Sequence, residues 1–367
     1  MDVDVAIIGG GPAGSAAALA LLRHSILRVV VVERTAYNDW RAGEALSPAV
    51  RPLLQYLDAE DLLDSHAHLA AHGTTAAWGS DVLVNRDFLY TGQGTGWHLN
   101  RLRFDRDLAA LVRRRGGTVL ERCTVAGAEH LGDRWRVTVR HHDEVTTELM
   151  AQFVIDATGR RAAFGRRCGA RRLVADQLFA LVGFCAFRRG TQPETYTVVE
   201  ATEHGWWYSA LLPADRMVVA FMTDADIIRQ QRLRTLPEWL ALLRTTTQTR
   251  ARVEGSTVEG PPIICPAFSQ ILRPLAGARW IAAGDAAVGF DPISAMGIGY
   301  AIASGLHAAR AVHDAMTGSG PLFSAYPDVI QQHYERYLAR RRDYYAMEGR
   351  WPGSPFWARR SVEGVRG

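Results

Sequence analysis

The sequence predicts an α/β fold: a parallel-sheet, nucleotide-binding domain, an antiparallel sheet inserted into it, and a helical tail. Three observations predict this. A strand, a glycine-rich turn, a helix and a second strand follow one another within residues 3–33. A second strand-to-helix unit, WIAAGDAAVGFDPISAMGIGYAIASGLHAARAV, occupies residues 280–312. Between them, GWWYSALLPADRMVVAF alternates like two strands around a Pro-Ala-Asp turn.

In the first unit, Val3, Val5, Ile7 and Ile8 form the short apolar run of a buried strand. Gly9, Gly11 and Gly14 then supply G-x-G-x-x-G before an alanine-rich helix over 15–22. Gly9 makes the tight turn, Gly11 lets the backbone approach a pyrophosphate, and Gly14 lets helix and strand pack closely. Free N–H groups and the helix dipole favour phosphate at that helix start. The second strand ends at Glu33, where a carboxylate accepts from ribose hydroxyls.

Such a unit holds NAD or FAD, and the 280–312 segment selects between them. Asp285 follows a strand directly and is placed to reach a polyol chain. Gly297 and Gly299 let a backbone approach a flat ring, with the positive end of the next helix aimed at it. These parts suit FAD, with Asp285 on the ribityl chain and the 297–299 amides near the N1–C2=O edge.

Composition narrows the function further. The chain has 367 residues, 48% hydrophobic and 22% charged, which is ordinary for a globular enzyme. Its net charge of +4 comes from scattered arginines, which argues against nucleic acid as a partner. No lysine occurs anywhere, so Schiff-base chemistry and a lysine that handles hypohalous acid are both excluded. Cys123, Cys168, Cys185 and Cys265 are single and spread, which argues against a disulfide framework or a zinc site. No apolar run approaches the ~18 residues of a membrane span, and no basic leader opens the chain, so a cytoplasmic location is expected.

With GGGPAG and Glu33, RAGEAL at 41–46, GWHLNRLRFDRDL at 96–108, FVIDATGR at 153–160, and AAGDAAVGFDP with GIG at 283–299, the chain resembles the p-hydroxybenzoate-hydroxylase-type flavoproteins. That superfamily contains aromatic monooxygenases and flavin-dependent halogenases. The resemblance implies that Pro12, Ala13, Arg34, Arg41, Arg103, Asp156, Thr158, Gly159 and Ile298 line the cofactor. It also implies that Pro292 borders the oxygen-reacting face. GWWYSALLP, VVAFMTDAD, DPISAMGIG and RRRDYYAMEGRWPGSPFWARR look most like the subgroup holding the flavoprotein maturases that install tryptophylquinone cofactors in amino-acid oxidases.

The Trp206-Trp207-Tyr208 stretch departs from the halogenase G-W-x-W-x-I-P pattern, because Tyr208 replaces the second tryptophan and Ala210-Leu211 replaces Ile-Pro. Trp206, Trp207 and Tyr208 are candidates for a substrate pocket. Strand alternation would send one aromatic set over the flavin and the other behind the sheet. The expected domains are 1–75, 98–165 and 260–320 for FAD, 76–97 and 166–259 for the substrate, and a helical tail at 321–367.

The expected reaction is hydroxylation of an electron-rich ring, an indole or phenol, through a flavin C4a-hydroperoxide. The electron donor is NAD(P)H or a separate reductase. Candidate proton handlers are Tyr208, His98, Glu44 and Asp224. The maturase resemblance makes the substrate a tryptophan in a partner oxidase. A small-molecule hydroxylase, a halogenase, a simple dehydrogenase or oxidase, and a non-catalytic FAD-containing binding partner are the alternatives.

Overall fold

The structure is a computed structural model that describes residues 1–24, 26–64, 67–188 and 194–361, so the last six residues of the expected tail lie outside it. Strand β1 (Asp2–Ile8), helix α1 (Pro12–His24) and strand β2 (Val29–Val32) open a parallel sheet. Its parallel strands run in the order Trp280–Ala282, Thr146–Asp156, β1, β2, Thr118–Leu120. All four residues of β2 are buried valines, as expected of a strand covered on both faces. The first half of Thr146–Asp156 also pairs antiparallel with Trp135–His141, which continues to Cys123–His130.

The strand ends at Ile8, Val32, Asp156 and Ala282 all point to one edge of this sheet, where ligands bind in open α/β folds. Close packing brings the two glycine-rich units together there. A Cβ on Gly14 would lie 1.9 Å from the Gly9 carbonyl oxygen. A Cβ on Gly305, in helix Gly297–Thr317, would lie 2.2 Å from the Ala13 carbonyl oxygen. Helix α1 and helix Gly297–Thr317 therefore touch backbone to backbone.

The second layer is an eight-stranded, mainly antiparallel sheet. Its order is Thr257–Val258, Leu178–Ala186, Arg216–Asp224, Gly205–Leu212, Thr197–Thr202, Gly73–Ala77, Val84–Asp87, with Ile263–Pro266 also paired to Leu178–Ala186. The sheet thus gathers residues from 73–87 and 178–266, and only Thr197–Thr202 against Gly73–Ala77 is parallel. Ala214 and Asp215 both take positive φ, 65° and 53°, in the tight turn between Gly205–Leu212 and Arg216–Asp224.

Alternation along Gly205–Leu212 divides the sheet into two faces. Trp206, Tyr208, Ala210 and Leu212 look to the front, toward Tyr345, Phe356 and Trp357 of the tail and toward Trp40, Phe268 and Ile293. Trp207 and Leu211 look to the back, under Trp239 and Leu243 of helix Leu236–Arg244. Gly183 is required there, because a Cβ would sit 2.8 Å from the Trp239 ring.

The tail, helices Leu322–Ala346 and Pro355–Ser361, joins both layers. Tyr326 donates to the Ala282 carbonyl of the parallel sheet at 2.8 Å. At its other end Trp357 donates to the Thr202 carbonyl at 2.9 Å, and Arg360 holds Asp224 at 2.7 Å. Asp224 and Arg360 are almost fully buried, so removing one leaves an uncompensated charge. Asp224→Ala is expected to lower stability by about 3 kcal/mol in urea unfolding. Arg359→Ala, which removes a partly exposed partner of the same carboxylate, should cost under about 1 kcal/mol.

Candidate functional site

The site forms where the parallel strands end. Gly9, at φ 109°, turns so closely over Ala157 that a Cβ would lie 2.2 Å from its carbonyl oxygen. Pro12 begins α1, where a missing N–H costs nothing. Glu33 is buried beneath this turn. Its Oε2 accepts from Gly10 N at 2.8 Å, and its Oε1 accepts from Thr35 N, Thr35 Oγ1 and Arg41 Nη2 at 3.0, 2.8 and 2.7 Å. Arg41 also reaches Asp105 at 3.2 Å and lies 3.3 Å from where a Gly11 Cβ would be. A guanidinium is therefore fixed beside the phosphate-binding turn by two buried carboxylates.

Asp156 turns inward. Its Oδ1 accepts from Thr158 N and Oγ1 at 3.0 and 2.6 Å, and its Oδ2 accepts from Gly165 N at 2.7 Å. It shapes the 158–165 turn, and Gly159, at φ 64°, has open space around it. Arg34 is exposed. Arg103 is also exposed and is engaged by Asp107 at 2.7 Å, away from the Arg41 cluster.

The arginine that faces inward is Arg101. Its Nη1 donates to the Ala42 and Gly43 carbonyls at 2.7 and 2.8 Å, and its Nη2 meets Asp105 at 3.2 Å. Its charge reaches both Asp285 and Glu44. Sequence reasoning missed Arg101 because Arg101–Asp105 and Arg103–Asp107 are equivalent i,i+4 pairs until the helix is packed.

On the opposite wall, Asp285 pairs with Arg160 Nε at 3.4 Å and stays one-third exposed. Arg160 is held by the Phe268 and Phe290 carbonyls at 2.5 and 2.6 Å, a second feature the motifs did not reveal. Helix Gly297–Thr317 starts with no side-chain cap, so the N–H groups of Gly297, Ile298 and Gly299 are not satisfied within the helix. Nothing lies within 4 Å of a Cβ built on Gly297 or Gly299. Two helix N-termini, a fixed guanidinium and an acid beside a bare backbone surface fit a dinucleotide flavin. Asp291, directly before the exposed Pro292, binds the tail: its Oδ2 accepts from Arg341 Nε at 3.0 Å and Tyr345 OH at 2.8 Å.

The front face of the antiparallel sheet closes over this wall. Tyr208 packs there with Trp40, Cys265, Phe268 and Ile293 in its hydrophobic cluster, next to Glu44. Glu44 is 6% exposed and its Oε1 has no hydrogen-bond partner. Burial pushes its pKa up from 4.5 to about 7 against the pull of Arg101 and of backbone N–H groups. Burial also raises the Tyr208 hydroxyl well above its ordinary range, with the Glu44 charge adding to it. His98 is fully buried, bonds Thr197 Oγ1 through Nε2 at 2.9 Å, and is lowered to about 4 by burial and by Arg252. It is therefore neutral at pH 7.

Trp206, Trp207 and Tyr208 separate. Trp206 is buried against the tail and donates to Tyr345 OH at 2.9 Å, Trp207 lies behind the sheet, and Tyr208 lies on the front face within reach of the Glu44 charge. Asp224 is engaged by Arg359 and Arg360 of the tail, outside this group. Trp40, which sequence reasoning missed, comes from an irregular loop that carries no periodic signal.

Gly14→Ala forces a Cβ against the Gly9 carbonyl, and the purified variant is expected to carry much less flavin per chain than the wild type, read by absorbance. In the flavin-free protein the folded Glu44 carboxyl keeps its proton to about pH 7, whereas the unfolded one releases it near 4.5. Folding then takes up a proton inside that window, so stability falls as pH rises through it, by up to about 3 kcal/mol, and levels off above. Glu44→Gln should abolish that slope in urea unfolding across the window.

Residues 2–336 match the family described as FAD binding domain. The chain is 34% identical over 361 residues to the protein named FAD-dependent oxidoreductase LodB of Marinomonas mediterranea, covering 97% of this chain and 96% of that one. It is 24% identical over 359 residues to the tryptophan 2-halogenase of Chondromyces crocatus, covering 94% and 68%. Among solved structures, the myxobacterial chondrochloren halogenase CndH matches with a TM-score of 0.90 at 23% identity, covering 100% of this chain and 87% of that one. The peptidyl tryptophan dihydroxylase QhpG matches at 0.72 and 24% identity, covering 98% and 79%. No described helix is long and apolar enough to cross a membrane. The family match over residues 2–336 and the likeness along nearly the whole chain to LodB establish that the chain belongs to the FAD binding domain family and is an FAD-dependent oxidoreductase.

Proposed function

We propose that this oxidoreductase is a monooxygenase that hydroxylates an electron-rich aromatic ring, with a tryptophan of a partner oxidase as substrate. The observation that carries the reaction is the Glu44–Tyr208 pair between the flavin wall and the antiparallel sheet. When bound and reduced, the flavin supplies the activation of oxygen. The chain's own groups do the rest. Trp40, Tyr208, Phe268 and Ile293 make an apolar compartment that keeps water out. Glu44, with a pKa near 7, can hold a proton and release it there, and Tyr208 is its neighbour. Neutral His98 fixes Thr197 behind them, and Pro292 borders the compartment beside Ile293.

The substrate class rests on relatives. LodB is similar along nearly the whole chain, and the QhpG structure is named for dihydroxylation of a peptidyl tryptophan. Halogenation is the rival supported by fold likeness, but a chain without lysine has no amine to carry hypohalous acid to a ring. The electron donor in this proposal is NAD(P)H or a separate reductase.

The test is mass spectrometry of the tryptophan-bearing partner after incubation with the holoenzyme, a flavin-reducing system and isotopically heavy oxygen gas. Heavy oxygen on the tryptophan supports the proposal, whereas an unmodified partner or a halogenated one in the presence of bromide overturns it. Glu44→Gln is expected to slow product formation about 100-fold while leaving flavin binding within a few-fold. Anaerobic mixing with NADH or NADPH tells the donors apart, because rapid bleaching of the flavin band marks direct reduction.

A further inference from the structure

The segment 157–175 holds six arginines, Arg160, Arg161, Arg166, Arg167, Arg171 and Arg172, and no acidic residue. Only Arg160 reaches a carboxylate, that of Asp285. The other five form no ion pair among the described residues, and Arg161, Arg166, Arg167, Arg171 and Arg172 are all exposed. Elsewhere the chain commonly matches its surface arginines, as in Arg113–Glu121, Arg136–Glu129 and Arg216–Glu259. An unmatched cluster of this size is a field that attracts negative charge.

The same segment contains an open sheet edge. Strand Arg171–Val174 pairs antiparallel with Gln270–Arg273 on one side and has no strand on the other among the described residues. Ala175 N donates to the Ser269 carbonyl at 2.9 Å. By two-residue alternation, Arg171 and Leu173 bond inward, and Arg172 and Val174 turn their N–H and C=O groups outward. Leu173 and Val174 are 51% and 50% exposed. Helix Ala163–Arg167, with Arg166 and Arg167, packs beside this strand.

The edge adjoins the catalytic wall. Arg172 Nη1 donates to the Arg160 carbonyl at 3.0 Å, and Arg160 carries Asp285. We propose that the edge strand Arg171–Val174 and its arginines dock an acidic, extended segment of a partner polypeptide by strand addition. Main-chain hydrogen bonds at Arg172 and Val174 give affinity, the exposed Leu173 and Val174 give apolar contact, and the arginines select carboxylates. The proposal deepens the protein-substrate reading above and rests on it for why a polypeptide should come to this side of the site.

The experiment uses the flavin-loaded enzyme and a labelled peptide of alternating glutamate and valine, followed by fluorescence anisotropy. Binding that weakens with salt and falls at least about tenfold in Arg167→Glu/Arg171→Glu is expected. Val174→Pro keeps every charge but removes an outward N–H, and should weaken binding by a similar factor. Hydrogen exchange at Arg172 and Val174 should slow in the wild-type complex, which decides the question even if one variant fails to fold.

Absence of binding would mean that the arginines only guard an edge against self-pairing, and would overturn the proposal. Equal binding of the glutamine–valine analogue, or binding unaffected by both variants, would overturn it as well. So would duplex DNA that binds as tightly and displaces the peptide, because the patch would then serve nucleic acid. Peptide binding with no oxygen placed on the partner's tryptophan would sink the hydroxylation reading and leave the docking surface standing. Oxygenation that persists in both variants would do the reverse.

Discussion

A single buried carboxylate, Asp291, holds the parts of this enzyme in register. Its Oδ2 receives Arg341 and Tyr345 from the tail, its Oδ1 caps Ile293, and its own N–H donates to Tyr337 OH at 2.8 Å. Tyr345 in turn accepts from Trp206 of the antiparallel sheet. Tail, Pro292 turn and antiparallel sheet thus meet at one carboxylate that is 0% exposed. A buried carboxylate with this many donors is affordable only when all of them stay in place, so the geometry of the Pro292 turn depends on the docked tail.

The second constraint is the pleat of the antiparallel sheet. Because side chains alternate, Trp207 anchors helix Leu236–Arg244 through Trp239 at 5.3 Å, while Tyr208 packs on the opposite face with Trp40, Phe268 and Ile293. Neighbours in sequence therefore do unrelated work. Burial also sets the electrostatics there: Glu44 rises to about 7 and is half protonated at neutral pH, while His98 falls to about 4 and is uncharged.

Much of the fold was legible because its signals are local. Gly9, Gly14 and the apolar β1 and β2 announce a close-packed strand–turn–helix–strand, since only glycine fits where backbone meets backbone. Gly297 and Gly299 mark a helix start for a different reason, since the space beside their backbone is open rather than filled by another strand or turn. Long-range pairings were not legible. Nothing local says that Gly73–Ala77 joins Thr197–Thr202 in parallel, or that Trp40 reaches the front face.

The sequence by itself determined the cofactor class, the order of the elements and the exclusion of lysine chemistry, because glycine spacing, hydrophobic period and residue inventory are properties of the chain alone. Tertiary structure decided which chemically identical residues serve the site. Arg101 rather than Arg103 turns inward, Glu33 is pinned by Arg41, Asp156 faces its own turn, and Asp224 belongs to the tail. The reason is physical: a side chain's charge state and partners follow from what surrounds it in space, and burial, unlike spacing, is settled only when the layers pack.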